Sequence, residues 1–181
     1  MDGLEKLDLE RGDSQLSGQL VDGQLDGPLQ IQEAQRPQAT LNYNQGELQG
    51  TSTLYHPNGK VSAVLPFVKG KLQGVASFYA AEGGLQRQAT YRRGLLHGEA
   101  NNYFPDGQLA EAEFYRDGVR DGRYRRLHPN GNPAVEARYL NGQLLEPAHA
   151  YAEDGRPLDA EGKPISRVRW WFRRWNDPTT V

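Results

Sequence analysis

Apolar residues alternate with polar ones through short stretches of this chain. Val61, Ala63, Leu65 and Phe67 occupy alternate positions in one stretch, Leu109 and Tyr115 fall in step in a second, and Pro133, Val135, Ala137 and Tyr139 in a third. Successive side chains of an extended chain point to opposite faces, so each set lines one face of a strand. The stretches run to about 6 to 9 residues, a strand's length and too short for a helix standing in water. Large residues recur on a longer clock. Tyr43, Phe67, Tyr91, Tyr115 and Tyr139 stand 24 residues apart, as do Tyr55, Tyr79, Tyr103, Leu127 and Tyr151.

Glycine keeps the same period. Gly46, Gly70, Gly94, Gly118 and Gly142 form one series; Gly50, Gly74, Gly98 and Gly122 a second; Gly59, Gly83, Gly107, Gly131 and Gly155 a third. Three series in phase identify a repeat protein. One turn is Gly-x-Leu-x-Gly, as in Gly70-Lys-Leu-Gln-Gly74, where glycine permits positive φ and the leucine dips to the core. The other is Pro-Asn-Gly or Pro-Asp-Gly, at Pro57-Asn58-Gly59, Pro105-Asp106-Gly107 and Pro129-Asn130-Gly131, which suits a tight hairpin. The structural turn positions are thus Gly46, Gly70, Gly94 and Gly118 on one side and Gly59, Gly107 and Gly131 on the other. Short turns make successive strands antiparallel neighbours. The expected fold is all-β: a single-layer antiparallel β-meander solenoid of 24-residue hairpin repeats, adding about 10 Å per repeat.

The pattern divides the chain into three. Residues 1–21, with Leu4, Leu7 and Leu9 followed by Leu16 and Leu20, read as a capping segment of one or two strands. Residues 22–159 form the repeat array. Its first Gly-x-Leu-x-Gly, Gly23 to Gly27, comes 23 residues before Gly46, and the missing residue falls at the hairpin near Gln35-Arg36-Pro37. Residues 160–181 change texture, packing Trp170, Trp171 and Trp175 among Arg167, Arg169, Arg173 and Arg174. A short amphipathic helix is expected there, N-capped by Ser166, with Ile165, Val168, Trp171, Phe172 and Trp175 on one face, closing the end of the sheet.

Composition narrows the chemistry. No run of apolar residues is long enough for a membrane-spanning helix, and there is no cysteine, which removes disulfides, thiolate metal sites and thiol catalysis. His56 and His128 share one repeat phase while His97 and His149 are scattered, so turn-side positions are expected and no metal site. Glu111 and Glu113 share a strand face, but the positions one period earlier are Arg87 and Ala89, so the pair reads as a solvated face and not an acid/base couple. The chain therefore reads as non-enzymatic, with no cofactor. Charge is asymmetric. Residues 1–50 hold nine acids and three bases, a net of −6, and the remainder carries +4. The basic end gathers Arg120, Arg123, Arg125 and Arg126, then Trp170, Trp171, Arg173, Arg174 and Trp175, and these nine are the candidate partner-binding residues. A pI near 6.1 and the acidic half argue against nucleic acid as the partner.

The unit Tyr55-His-Pro-Asn-Gly59, repeated as Tyr79-Ala-Ala-Glu-Gly83 and Tyr103-Phe-Pro-Asp-Gly107, together with Gly-x-Leu-x-Gly, resembles the MORN-repeat variant. It is most similar to the bacterial form in the YwqK-type antitoxin family. That resemblance implies an immunity protein or antitoxin that neutralises a cognate toxin effector, a secreted lipase-type effector among the candidates, by direct protein–protein binding. MORN-type membrane-surface or scaffold modules are the alternative, with membrane contact through the C-terminal tail. The acidic opening after Met1 suits a chain trimmed of an exported or lipoprotein leader, which implies the periplasm; without such a leader the cytoplasm is expected.

Overall fold

The computed structural model describes residues 3–170. Across them eighteen strands form one antiparallel sheet. In chain order they are β1 (Leu4–Arg11), β2 (Ser14–Val21), β3 (Gln24–Leu25), β4 (Gly27–Glu33), β5 (Arg36–Asn44) and β6 (Glu47–Leu48). There follow β7 (Gly50–Tyr55), β8 (Val61–Val68), β9 (Lys71–Leu72), β10 (Gly74–Tyr79), β11 (Leu85–Arg92) and β12 (Leu95–Tyr103). The last six are β13 (Leu109–Arg116), β14 (Val119–Arg120), β15 (Gly122–Leu127), β16 (Pro133–Leu140), β17 (Gln143–Leu144) and β18 (His149–Ala150). The ladder is a meander: β1 pairs β2, then β4, β5, β7, β8, β10, β11, β12, β13, β15, β16 and β18 follow side by side. The two-residue strands β3, β6, β9, β14 and β17 are hooks that fold back on the end of the strand before them.

Each hook begins with a residue and a glycine that both take positive φ. Asp22, Gln45, Lys69, Arg93, Asp117 and Asn141 lie at φ 48 to 53°, and the glycines after them at 71 to 86°. Two consecutive left-handed residues are the type I′ hairpin, whose twist matches that of the strands it joins. The hooks also stack. Gly46 N donates to Leu25 O, Gly70 N to Leu48 O, Gly94 N to Leu72 O, Gly118 N to Leu96 O and Gly142 N to Arg120 O, at 2.8 to 2.9 Å. The variable residue before the second glycine adds a side-chain contact: Gln49 Oε1 and Gln73 Oε1 accept from the N–H of Lys69 and Arg93 at 3.0 Å. Asp26 and His97 do the same for Gln45 and Asp117. One repeat's turn thereby completes the next.

The other edge is built from five-residue turns such as His56 to Lys60, closed by His56 N to Lys60 O at 2.7 Å and Gly59 N to His56 O at 2.8 Å. Here the in-phase histidines have a structural use. His56 Nε2 donates to Tyr79 O at 2.8 Å and His128 Nε2 to Tyr151 O at 2.9 Å, tying one turn to the next. The short first repeat lacks this turn and has Ala34 and Gln35, both at positive φ, in its place.

A single layer must cover its core from one face only. Six of the buried residues are small and share a face: Ala39, Ser52, Ala63, Ala76, Ala89 and Ala100. Ala76 sits opposite Ala89, between Phe78 and Tyr91 on the same face, so large neighbours close over small ones. The hook leucines complete the cover, Leu48 opposite Tyr43, Leu72 opposite Phe67 and Leu96 opposite Tyr91. We call this the leucine face.

After β18 the chain makes two isolated bridges, Tyr151 with Pro157 and Leu158 with Pro164, and Ile165 is buried. Ser166 then caps one helical turn, its Oγ accepting from Arg169 N at 3.3 Å and its carbonyl from Trp170 N at 2.9 Å. Val168 is 67% exposed. Its expected place on a packed helical face is therefore corrected: the first turn leaves Val168 in water while Ile165, before the cap, is the buried residue. Trp171, Phe172, Arg173, Arg174 and Trp175 lie outside the described residues.

Candidate interaction surface

Reading the sheet crosswise locates a break in its regularity. Along one row of the leucine face, cross-strand neighbours run Ile31, Ala39, Leu54, Ala63, Phe78, then Arg87, Asn102, Glu111, Arg126, then Val135 and Ala150. The apolar row turns polar for four strands and back again. The adjacent row changes two strands later, from Ala76, Ala89 and Ala100 to Glu113 and Tyr124. Among the hooks, the position held by Leu25, Leu48, Leu72, Leu96 and Leu144 is Arg120 in the fifth.

Several of these polar residues bond one another. Arg87 Nη1 donates to Asn102 Oδ1 at 2.9 Å, Asn102 Nδ2 to Glu111 Oε2 at 2.6 Å, and Tyr124 Oη to Glu111 Oε1 at 2.7 Å. Arg120 forms an ion pair with Glu113, which is only 5% exposed and also accepts from Tyr115 Oη at 3.0 Å. The Arg120 guanidinium lies 5.4 Å from the ring centres of both Tyr124 and Tyr139, whose rings meet edge to face. Hydrogen bonding to Tyr115 and the charge of Glu113 hold the guanidinium above its usual pKa. Burial, then the Glu111 carboxylate that accepts its hydroxyl proton, push the Tyr124 phenol up to about 12. Glu111 and Glu113 are therefore not on a solvated face, as their repeat phase suggested. Arg120 has replaced the leucine that would have made that face apolar, and the carboxylates answer it.

The opposite face of the same strands is built otherwise. β15 places Arg123 directly across from Arg138 of β16, and Arg125 across from Glu136, to which it is bonded at 3.1 Å. Two guanidiniums facing each other repel. Among the described residues neither Arg123 nor Arg138 has a carboxylate within ion-pair distance. Beside them runs a cleft of about 540 Å³ lined by Ala112, Arg125, Glu136, Glu146 and His149. An adjoining pocket that shares Ala112, Arg123 and Arg138 with it is lined by Phe114, Leu140 and Leu145, each more than two-fifths exposed.

The candidate arginines are thus divided by strand parity. Arg120 and Arg126 lie on the leucine face, Arg123 and Arg125 on the opposite one. Trp170, half-buried, follows the Ser166 cap on the far side of β18. Trp171, Arg173, Arg174 and Trp175 fall outside the described residues. Arg138 and Phe114 were not singled out from the sequence, because each looks ordinary alone; strand pairing is what sets Arg138 against Arg123. Among the described residues no three His, Asp or Glu side chains converge on a metal-sized point. No curated protein matches the chain. Three segments, residues 48–69, 96–117 and 120–141, match the MORN repeat variant family, and together with the meander they make this a repeat-containing binding or scaffold module.

Proposed function

We propose that the protein binds and neutralises a partner protein, as an immunity protein or antitoxin does for a toxin encoded beside it. The observation that carries the reading is the contrast between the two faces of β13 to β16. On the leucine face Arg120 pairs with Glu113, and Glu111 accepts from Asn102 and Tyr124, so the cluster at Arg120 is bonded internally, as a structural element requires. On the other face Arg123 and Arg138 are held apart from any carboxylate of the described residues, next to an exposed aromatic ring. Arginine and aromatic side chains are the residue types enriched where protein partners bind. A long single-layer sheet presents such a patch on an open face, and hydrogen bonds tie each hook to the next. The antitoxin setting itself is supported by the resemblance to the YwqK-type family, and a lipase-type effector is one partner it suggests.

The test is growth rescue. Reading frames adjoining this one are induced singly in a heterologous host, in the cytoplasm and as periplasmic fusions, with and without this chain. We expect one to arrest growth, with rescue by this chain through a complex that co-purifies. Absence of any toxic neighbour, or toxicity that this chain does not relieve, overturns the reading.

A further inference from the structure

From the cleft beside β15 and β16 we infer that the partner is recognised through an acidic surface segment, two carboxylates of which seat on Arg123 and Arg138 while an apolar neighbour covers Phe114. The inference rests on the binding reading above and names the chemistry of its contact. Arg123 and Arg138 are direct cross-strand partners, so their guanidiniums project from one face side by side. Like charges so placed destabilise the free sheet, and the ordinary remedy is present next door: Glu136 pairs with Arg125 at 3.1 Å and accepts from Tyr151 at 3.4 Å. Arg123 and Arg138 lack that remedy within the described residues. A guanidinium offers a planar fork that matches a carboxylate with two parallel hydrogen bonds, so the pair presents two such forks.

The surroundings decide between anions. The cleft sets Arg123, Arg125 and Arg138 against Glu136 and Glu146, and the adjoining pocket at Phe114 adds Arg116 against Glu99, Glu113 and Asp121; within this mixed field Arg123 and Arg138 are the guanidiniums without an ion pair among the described residues, which suits a few discrete carboxylates. A polyphosphate backbone would run its charges past Glu136 and Glu146 and be repelled. The apolar lining of the adjoining pocket points the same way. The register that sets Ala112 against Arg125 brings Phe114 level with Arg123, and Phe114 is 42% exposed. An acidic peptide segment can place an aliphatic side chain there, whereas a phosphate chain has none to offer. A seated partner would also exclude water from the arginines, which strengthens each charge-assisted bond.

The experiment titrates the intact chain by NMR, following backbone amides and arginine Nε–H signals, with the peptide acetyl-Asp-Glu-Leu-Glu-Asp-amide. The probes for comparison are its Asn/Gln analogue, inorganic phosphate and a 12-base-pair DNA duplex. Expected are saturable shifts confined to Arg123, Arg138, Phe114 and the cleft residues with the acidic peptide only. Arg138→Glu should weaken that binding by at least about tenfold and, by pairing with Arg123, raise the melting midpoint by roughly 1 to 3 °C. Arg123→Gln should weaken binding without lowering the midpoint, which shows that the loss is not unfolding. Unlocalised or absent shifts with the acidic peptide overturn the proposal, as does tighter binding of phosphate or DNA. Failure of growth rescue with peptide binding intact would count against the toxin reading alone, and rescue that survives Arg123→Gln/Arg138→Gln would count against this site alone.

Discussion

Replacing Arg120 by leucine restores the residue that five other hooks carry, yet the structure requires it to be destabilising. Glu113 is 5% exposed and its carboxylate depends on Arg120 for its countercharge. Removing one partner of a buried ion pair costs about 3 to 5 kcal/mol; Arg120 is 41% exposed, and that screening reduces the figure to about 2 to 3 kcal/mol. The two cation–π contacts at 5.4 Å add about 0.5 to 1 kcal/mol each. The expected loss is about 3 to 5 kcal/mol, a fall of roughly 6 to 20 °C in melting midpoint for a chain of this size. The double variant Arg120→Leu/Glu113→Leu removes both charges and reinstates the pattern of Leu65 and Leu72, so it should melt within a few degrees of the parent. Thermal melts followed by far-ultraviolet circular dichroism measure all four corners of the cycle, and the coupling is their non-additive part. A single Arg120→Leu variant that melts like the parent, or a double variant as unstable as the sum of the singles, would refute the account of the polar cluster.

Two further perturbations test other parts of the structure. Tyr124 titrates near 12 in the folded chain and near 10 unfolded, so between those values the folded state binds the extra proton; its stabilisation is complete below pH 10 and is lost as pH rises toward 12. Tyr151, raised by burial and by Glu136, acts in the same direction, and Tyr124→Phe should flatten part of the alkaline fall in midpoint; an unchanged profile would contradict the Glu111 contact. Gly122 lies at φ 141° with room for a Cβ only 2.9 Å from Phe114 Cβ, whereas Gly107 at φ 85° has nothing within 4 Å. Gly122→Ala should therefore cost about 2 to 3 kcal/mol by denaturant titration and Gly107→Ala about 1 kcal/mol, and equal costs would show that contact with Phe114 is not what demands glycine there.

The period of 24 residues and the alternation within it were enough to read the meander, because both arise from local rules: glycine at left-handed turns, and opposite faces for adjacent residues. The same reading missed what depends on pairing. Gln49 and Gln73 stand at variable positions of Gly-x-Leu-x-Gly, and their side-chain amides bind the next hook, a contact that no local pattern announces. Judging Glu113 by Ala89, its counterpart one period earlier, assumed that repeats tolerate substitution only at the surface; Arg120, seven residues on, was the sign of a compensated change inside. The arginines at 120, 123, 125 and 126 looked like one cluster in sequence. Odd and even positions of β15 face opposite ways, so the cluster is two clusters. The C-terminal turn was legible at Ser166, where capping is a local matter, and not at Val168, whose exposure depends on what packs against it.

That division has an energetic basis. In a solenoid each repeat is stabilised by its own contacts and by its nearest neighbours, so a weak repeat can persist between strong ones. Here the polar segment from Arg87 to Arg126 is flanked by Leu54, Ala63 and Phe78 on one side and by Val135 on the other. Within it, Arg120 is fixed by an ion pair and two rings, which pins β14 against β13 and sets the start of β15. Arg123, three residues later, is set opposite Arg138 and has no ion pair among the described residues, so its charge is not compensated by the fold. A residue whose position is enforced by neighbours and whose charge works against the free sheet is stabilised only by a group from outside. Among the arginines of β15, that argument singles out Arg123, and through the register it brings Arg138 with it.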